Sequence, residues 1–258
     1  MLAAQLLYTA ECIAGFVSAV FLLSILLRRN DVADIAWGIG IALVALLSYR
    51  ATGVPTPLQW ILTVLAAMWA TRLSIRILIR NRKKSEDYRY KKWRDEWGIW
   101  FYPRSYLQVY LLQGFLMIAV GYSFIHASIY GATAALDIFS LLGMLVWCVG
   151  FVCETVADWQ LDRFLAMSPA PGTILTTGLW KYSRHPNYFG EVTMWWGIWL
   201  MVAPLPLSYL ALISPLTITF LILKVSGIPM LETKYEGNAA FQAYKARTSA
   251  FFPLPPKQ

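Results

Sequence analysis

Residues 178–200 read G-L-W-K-Y-S-R-H-P-N-Y-F-G-E-V-T-M-W-W-G-I-W-L, and the change of character within this stretch decides the fold. Its first half gathers Lys181, Arg184, His185, Asn187 and Glu191 beside Tyr182 and Tyr188, and its second half is apolar enough to enter a membrane. Pro186 fixes φ and lacks an N–H, so it suits the first turn of a helix, with Ser183 or His185 as the cap. The free N–H groups and positive dipole end of that helix then lie beside Arg184 and Lys181, a favourable place for a phosphate. The same residues also read as a juxtamembrane anchor, in which basic and aromatic side chains mark the headgroup level.

Working outward, 58% of the 258 residues are hydrophobic and only 14% are charged, more apolar surface than a soluble core can use. The composition places the chain in a membrane. Seven apolar runs, roughly 3–27, 34–50, 58–79, 107–130, 135–156, 188–203 and 205–224, approach the roughly 20 residues that a spanning helix needs. If they alternate, one side receives Arg28, Arg29, the cluster from Arg80 to Arg104, Arg163, Lys181, Arg184, Lys234, Lys245, Arg247 and Lys257, and the other receives Arg50 alone. The positive-inside rule then puts the N-terminus outside and the C-terminus in the cytoplasm. The expected fold is all-α, a polytopic bundle of seven transmembrane helices.

The net charge of +8 is spread along one face of the bilayer, where anionic lipid attracts it, and forms no basic domain for nucleic acid. Cys12, Cys148 and Cys153 fall in apolar runs without CxxC spacing and read as packing residues. His126 and His185 are too few for a His-based metal cluster, so no metal site is expected. Gly38-Ile39-Gly40 lacks the third glycine and the preceding strand of a dinucleotide fingerprint, and reads as close helix packing.

Several charges fall inside the apolar runs, where an ionisable group marks a partner or a ligand. Asp31, Asp34 and Trp37, three apart, share a helix face. Asp31 reads as an N-cap, whereas Asp34 reads either as a structural carboxyl or as a protonated acid able to donate to a carbonyl. Arg72, Arg76 and Arg80 form a basic stripe at steps of four, and Glu154, Asp158 and Asp162 form an acidic one. Between them, the segment Asn81–Ser105 carries Glu86-Asp87-Tyr88-Arg89-Tyr90 and then Trp93, Trp97 and Trp100, a mixed-charge loop suited to a polar ligand. After Lys224, Ser226-Gly227-Ile228-Pro229 breaks the chain and residues 230–247 read as one amphipathic helix, with Glu232 and Arg247 near its ends and Tyr244 on its apolar face.

Three groups of residues carry a resemblance that covers nearly the whole chain. They are the run Trp180–Glu191, the preceding Ala157-Asp158-Trp159-Gln160, and Glu86–Tyr90 together with Arg247-Thr248-Ser249-Ala250-Phe251. The chain resembles a bacterial member of the steroid 5-alpha-reductase family, in its DUF1295 branch. The resemblance implies a single membrane domain, with residues 1–106 on the substrate side and 107–258 as the NADPH-binding half, in the bacterial inner membrane with the cofactor site facing the cytoplasm. It implies a monomer that takes a lipophilic enone, such as a 3-oxo-Δ4 steroid, from the bilayer and reduces its conjugated C=C bond. Catalytic roles fall on Asp34, Tyr88 and Trp37. The cofactor set comprises Arg72, Arg76, Glu86, Asp87, Asp158, Arg163, Tyr182, Arg184, His185, Asn187, Tyr188, Glu191, Lys224, Glu232, Tyr244 and Arg247. The isoprenylcysteine carboxyl methyltransferases share the R-H-P-x-Y-x-G-E pattern, so S-adenosylmethionine-dependent methyl transfer stands as the alternative. A non-enzymatic membrane scaffold or carrier is the third reading.

Overall fold

The computed structural model describes residues 2–51, 53–54, 56–82, 86 and 88–257, without the side chains of Tyr88 and Arg89. Asp87 and the Tyr88 side chain therefore lie outside the described residues. The helices are α1 (Leu2–Leu27), α2 (Val32–Ala51), α3 (Pro57–Asn81), α4 (Tyr88–Trp97), α5 (Phe101–Ser105), α6 (Leu112–Val120) and α7 (Tyr122–Tyr130), followed by α8 (Ile138–Ala166), α9 (Pro186–Val202), α10 (Ile213–Phe220), α11 (Ile228–Thr233) and α12 (Ala239–Arg247). No strand occurs among the described residues.

The chain forms two compact units, residues 1–137 with 202–214, and residues 138–201 with 215–258. The return of 202–214 to the first unit has visible ties: Ser123 Oγ donates to Ala211 O at 3.4 Å, and Ser214 Oγ donates to Val120 O.

Five helical stretches are long and apolar enough to cross a membrane: Leu2–Leu27, Val32–Ala51, Pro57–Asn81, Ile138–Ala166 and Ser208–Thr233. Tyr90–Val120 with Tyr122–Tyr130, bent by 45°, makes a sixth if taken as one span. The bend falls at Gly121, where a Cβ would come within 2.7 Å of Val44 Cγ1. The count of seven requires α9 as well, whose 17 residues span about 26 Å against a hydrocarbon core of about 30 Å. Leu22 and Leu26 of α1 and Leu141, Leu145, Val149 and Val152 of α8 stay exposed, an arrangement that lipid solvates and water does not.

In the first unit, α2 carries the core residues Ile41, Val44 and Ala45. Pro57 and the reciprocal Thr56–Gln59 capping box start α3. A Cβ on Gly38 would lie 2.9 Å from Ser74 Oγ and 3.2 Å from Ala70 O of α3, so this glycine serves close helix packing as expected.

In the second unit, α8 and α9 meet backbone to backbone. A Cβ on Gly150 would lie 2.6 Å from Gly190 O, one on Gly190 2.5 Å from Glu154 N, and one on Gly197 2.7 Å from Gly143 O. Both glycine pairs are seven residues apart, two helical turns, so they repeat on one face and the helices run antiparallel. The glycine of the motif is therefore a contact point rather than a hinge. The single helix expected over 230–247 is two, α11 and α12, because Asn238 caps the second by accepting from Phe241 N at 3.0 Å.

Gly150→Leu is expected to force α8 and α9 apart and to cost at least about 1–3 kcal/mol. Gly15→Ala, with nothing within 4 Å of the new Cβ, should change stability by less than about 1 kcal/mol. Thermal unfolding of both variants in detergent checks this, and equal midpoints would remove the close-contact role.

Candidate functional site

The motif is held in place from both of its sequence flanks. On the α8 side, Trp180 Nε1 donates to Ala157 O at 3.1 Å and Gln160 Oε1 accepts from Leu179 N at 3.0 Å. Gly178, at φ 63°, lies so close to Gln160 that a Cβ there would meet its amide at 2.6 Å. On the C-terminal side, Arg184 N donates to Ser249 O at 2.8 Å and Leu254 N to Tyr182 O at 3.0 Å. Tyr244 donates its hydroxyl to Trp180 O and Ser183 O. Ser183 Oγ donates to Phe251 O at 2.9 Å and accepts from His185 N at 3.1 Å, so it braces the approach to α9 instead of capping its first turn.

The charged side chains converge on Glu232 of α11. Its Oε1 accepts from Arg184 Nε at 2.8 Å, lies 2.7 Å from Arg184 Nη2 and 3.2 Å from His185 Nε2, and its Oε2 lies 2.9 Å from Lys245 Nζ. Arg184 Nη1 donates to Thr248 O and Lys245 O. All three guanidinium nitrogens are engaged by the chain itself: Nε and Nη2 on Glu232, and Nη1 on two carbonyls. Arg184 is 8% exposed. The expected phosphate ligand is thus committed inside the protein.

His185 stacks on Tyr188, with ring centroids 5.5 Å apart and planes at 12°. Burial pushes its pKa below the usual 6.5, outweighing the Glu232 carboxylate, and the Arg184 guanidinium adds to the fall. The ring is neutral at neutral pH. In the first turn of α9, Asn187 Nδ2 donates to Asp158 Oδ1 of α8 at 3.1 Å. Glu191 follows Asn187 by four residues on the same face and is half-buried.

Other expected cofactor residues of this unit lie at its surface. Arg163 lies over the Trp159 ring at 5.5 Å, Lys181 lies over the Tyr182 ring, and Lys224 and Arg247 are exposed. Lys245, expected only as one of the cytoplasmic charges, and Thr248, expected only as part of the Arg247–Phe251 run, complete the Glu232 cluster, and nothing in the sequence separates Lys245 from the other lysines of the tail.

The first unit has its own polar cluster at the start of α2. Asp34 is half-buried, and its Oδ1 accepts from Tyr90 OH at 3.1 Å. Tyr90, 3% exposed, is therefore a phenol beside the acid, while the expected phenol, Tyr88, has its side chain outside the described residues. Asp31 is no N-cap: it forms a two-point ion pair with Arg29 at 2.7 and 3.0 Å. Glu86 accepts from Asn30 N at 2.8 Å and from Arg94 Nη2 at 3.1 Å, which makes it a structural tie. Arg72, Arg76 and Trp37 are half-buried on α3 and α2.

Residues 20–248 match the model of a family described as protein of unknown function (DUF1295). An uncharacterized protein of Schizosaccharomyces pombe is 24% identical over 165 residues, 55% of this chain and 48% of that protein. The chain thus spans about half the length of this curated relative. No solved structure matches the chain.

The depressed pKa of His185 has a sign that can be measured. Below the ordinary value of 6.5 the unfolded chain takes up a proton that the folded ring refuses, so stability is full above pH 6.5 and declines as pH falls toward the folded pKa. His185→Gln is expected to flatten that part of the profile. Thermal midpoints between pH 7.5 and 5 in steps of about half a unit read it, and identical slopes in parent and variant would contradict it.

Proposed function

Because the chain belongs to the DUF1295 family, within the steroid 5-alpha-reductase-like superfamily, we propose that it is an integral membrane enzyme that reduces the conjugated C=C bond of a lipophilic enone with NADPH. A 3-oxo-Δ4 steroid is the substrate class we favour. The observation that carries the reading is the hydrogen bond between Tyr90 and the half-buried Asp34, an acid and a phenol placed together at the polar end of otherwise apolar helices.

The second unit's side chains fit a nicotinamide nucleotide by their chemistry. Asn187, Asp158 and Glu191 offer the mixture of donors and acceptors that ribose hydroxyls and a carboxamide need. With Arg184 committed to Glu232, the exposed Arg163, Lys181, Lys224 and Arg247 are the groups we assign to phosphates. When bound, NADPH supplies a hydride to the β-carbon of the enone.

The chain's own work is to stabilise the oxygen on which charge develops. The Asp34–Tyr90 pair holds a proton where the substrate ketone becomes an enolate, and a hydrogen bond from this pair lowers that barrier. Tyr90, donating to Oδ1, also fixes the orientation of the carboxyl. We assign the chain seven spans with α9 included, the N-terminus outside, the basic loops in the cytoplasm, and the bacterial inner membrane as its place.

Purified protein in lipid, given NADPH and progesterone, is expected to oxidise the cofactor and form the dihydro product. Asp34→Asn and Tyr90→Phe should each lower kcat by about 10²–10³-fold. Binding of S-adenosylmethionine in place of NADPH would move the reading to methyl transfer, and binding of neither would favour a scaffold.

A further inference from the structure

Glu232 meets three cationic or titratable side chains from two other segments: Arg184 and His185 just before α9, and Lys245 of α12. Its carboxylate, 8% exposed and salt-bridged to Arg184 and Lys245, can only accept hydrogen bonds. A ring nitrogen 3.2 Å from such an oxygen must carry a proton to gain from the contact. The neutral imidazole has one N–H, so the proton sits on Nε2 and Nδ1 is left as an acceptor. No other group reverses this order. Arg184 and Glu232 are the charges beside the ring, Tyr188 covers a face from α9, Lys245 reaches it only through Glu232 Oε2, and the Tyr244 hydroxyl is spent on carbonyls.

We propose that Glu232 is a positioning residue of the second unit's ligand site. Its carboxylate locks Arg184 onto the C-terminal segment and holds His185 as the Nε2–H tautomer, so that the ring offers a ligand an acceptor at Nδ1. The chemical class that this histidine takes is therefore a hydroxyl or an amide N–H, and not a phosphate oxygen, which needs a donor. In a nucleotide, that assigns the R-H-P motif to the ribose or carboxamide and leaves the phosphates to the exposed basic side chains. The tautomer stands independently of the cofactor's identity, whereas the ribose or carboxamide contact rests on the NADPH reading.

The chain has two histidines, which makes the test spectroscopic. Full-length protein in lipid nanodiscs, labelled with ¹⁵N-histidine, is measured by long-range ¹H–¹⁵N correlation at neutral pH without ligand, with His185→Gln to assign the signals. The expected pattern for His185 is neutral Nε2–H, with a shift toward mixed tautomers in Glu232→Ala and partial restoration in Glu232→Asp. NADPH affinity is expected to fall about tenfold in Glu232→Ala, the loss of roughly one hydrogen bond. An imidazolium or an Nδ1–H ring in the parent overturns the proposal, as does a Glu232→Ala spectrum identical to the parent's. If Glu232→Ala does not fold, Glu232→Gln replaces it, because the amide oxygen can still accept from Nε2. That variant should keep the tautomer and bind NADPH more weakly, and unchanged affinity overturns the proposal. The expected tautomer in a parent that binds no NADPH would sink the cofactor reading and leave the positioning role standing.

Discussion

A carboxylate withdrawn from water must have its charge matched, and at Glu232 that requirement ties together three parts of the chain that are far apart in sequence. The Arg184 side chain enters from the approach to α9, Lys245 from α12 and the carboxylate itself from α11. Removing one partner of such a buried set leaves an uncompensated charge, at a cost of about 3–5 kcal/mol. The neighbouring contacts run in the same direction. The carbonyls of Lys245 and Thr248 accept from Arg184 Nη1, and the tail beyond them pairs with Tyr182 and Ser183. The motif before α9 is therefore shaped by residues that follow it by about fifty to seventy positions.

The first unit solves a related problem at the polar end of its apolar helices. The link between α1 and α2 must satisfy its backbone and its charges where lipid gives way to water. Arg29 and Asp31 close on each other, Glu86 takes Asn30 N and Arg94, and Asn30 Nδ2 donates to Ser105 Oγ at 3.0 Å. Beside these ties, Asp34 Oδ1 accepts from Tyr90 OH, joining the start of α2 to α4.

Much of the architecture was legible in the residues because lipid imposes a strong and local constraint. A helix must carry its own backbone hydrogen bonds and an apolar surface over its whole length, so the runs beginning near residues 3, 34, 58 and 135 announce α1, α2, α3 and α8. The small residues at Gly38 announced close packing for the same reason. Legibility failed where local patterns were satisfied in more than one way. The amphipathic period over 230–247 fits one helix or two, and Asn238 as an N-cap decides for two.

The sequence by itself determined that this is a helical membrane chain with its polar motif at the start of a helix. Those properties depend on composition and on periods of a few residues, which lipid reads directly. Only the tertiary structure decided what the charged side chains do. Arg184 serves Glu232 and two carbonyls, His185 faces a carboxylate, Asp34 meets Tyr90, and Gly190 marks a helix contact. The physical reason is that a charge in a poor dielectric is governed by its nearest partner, and that partner is set by folding over long distances in the chain.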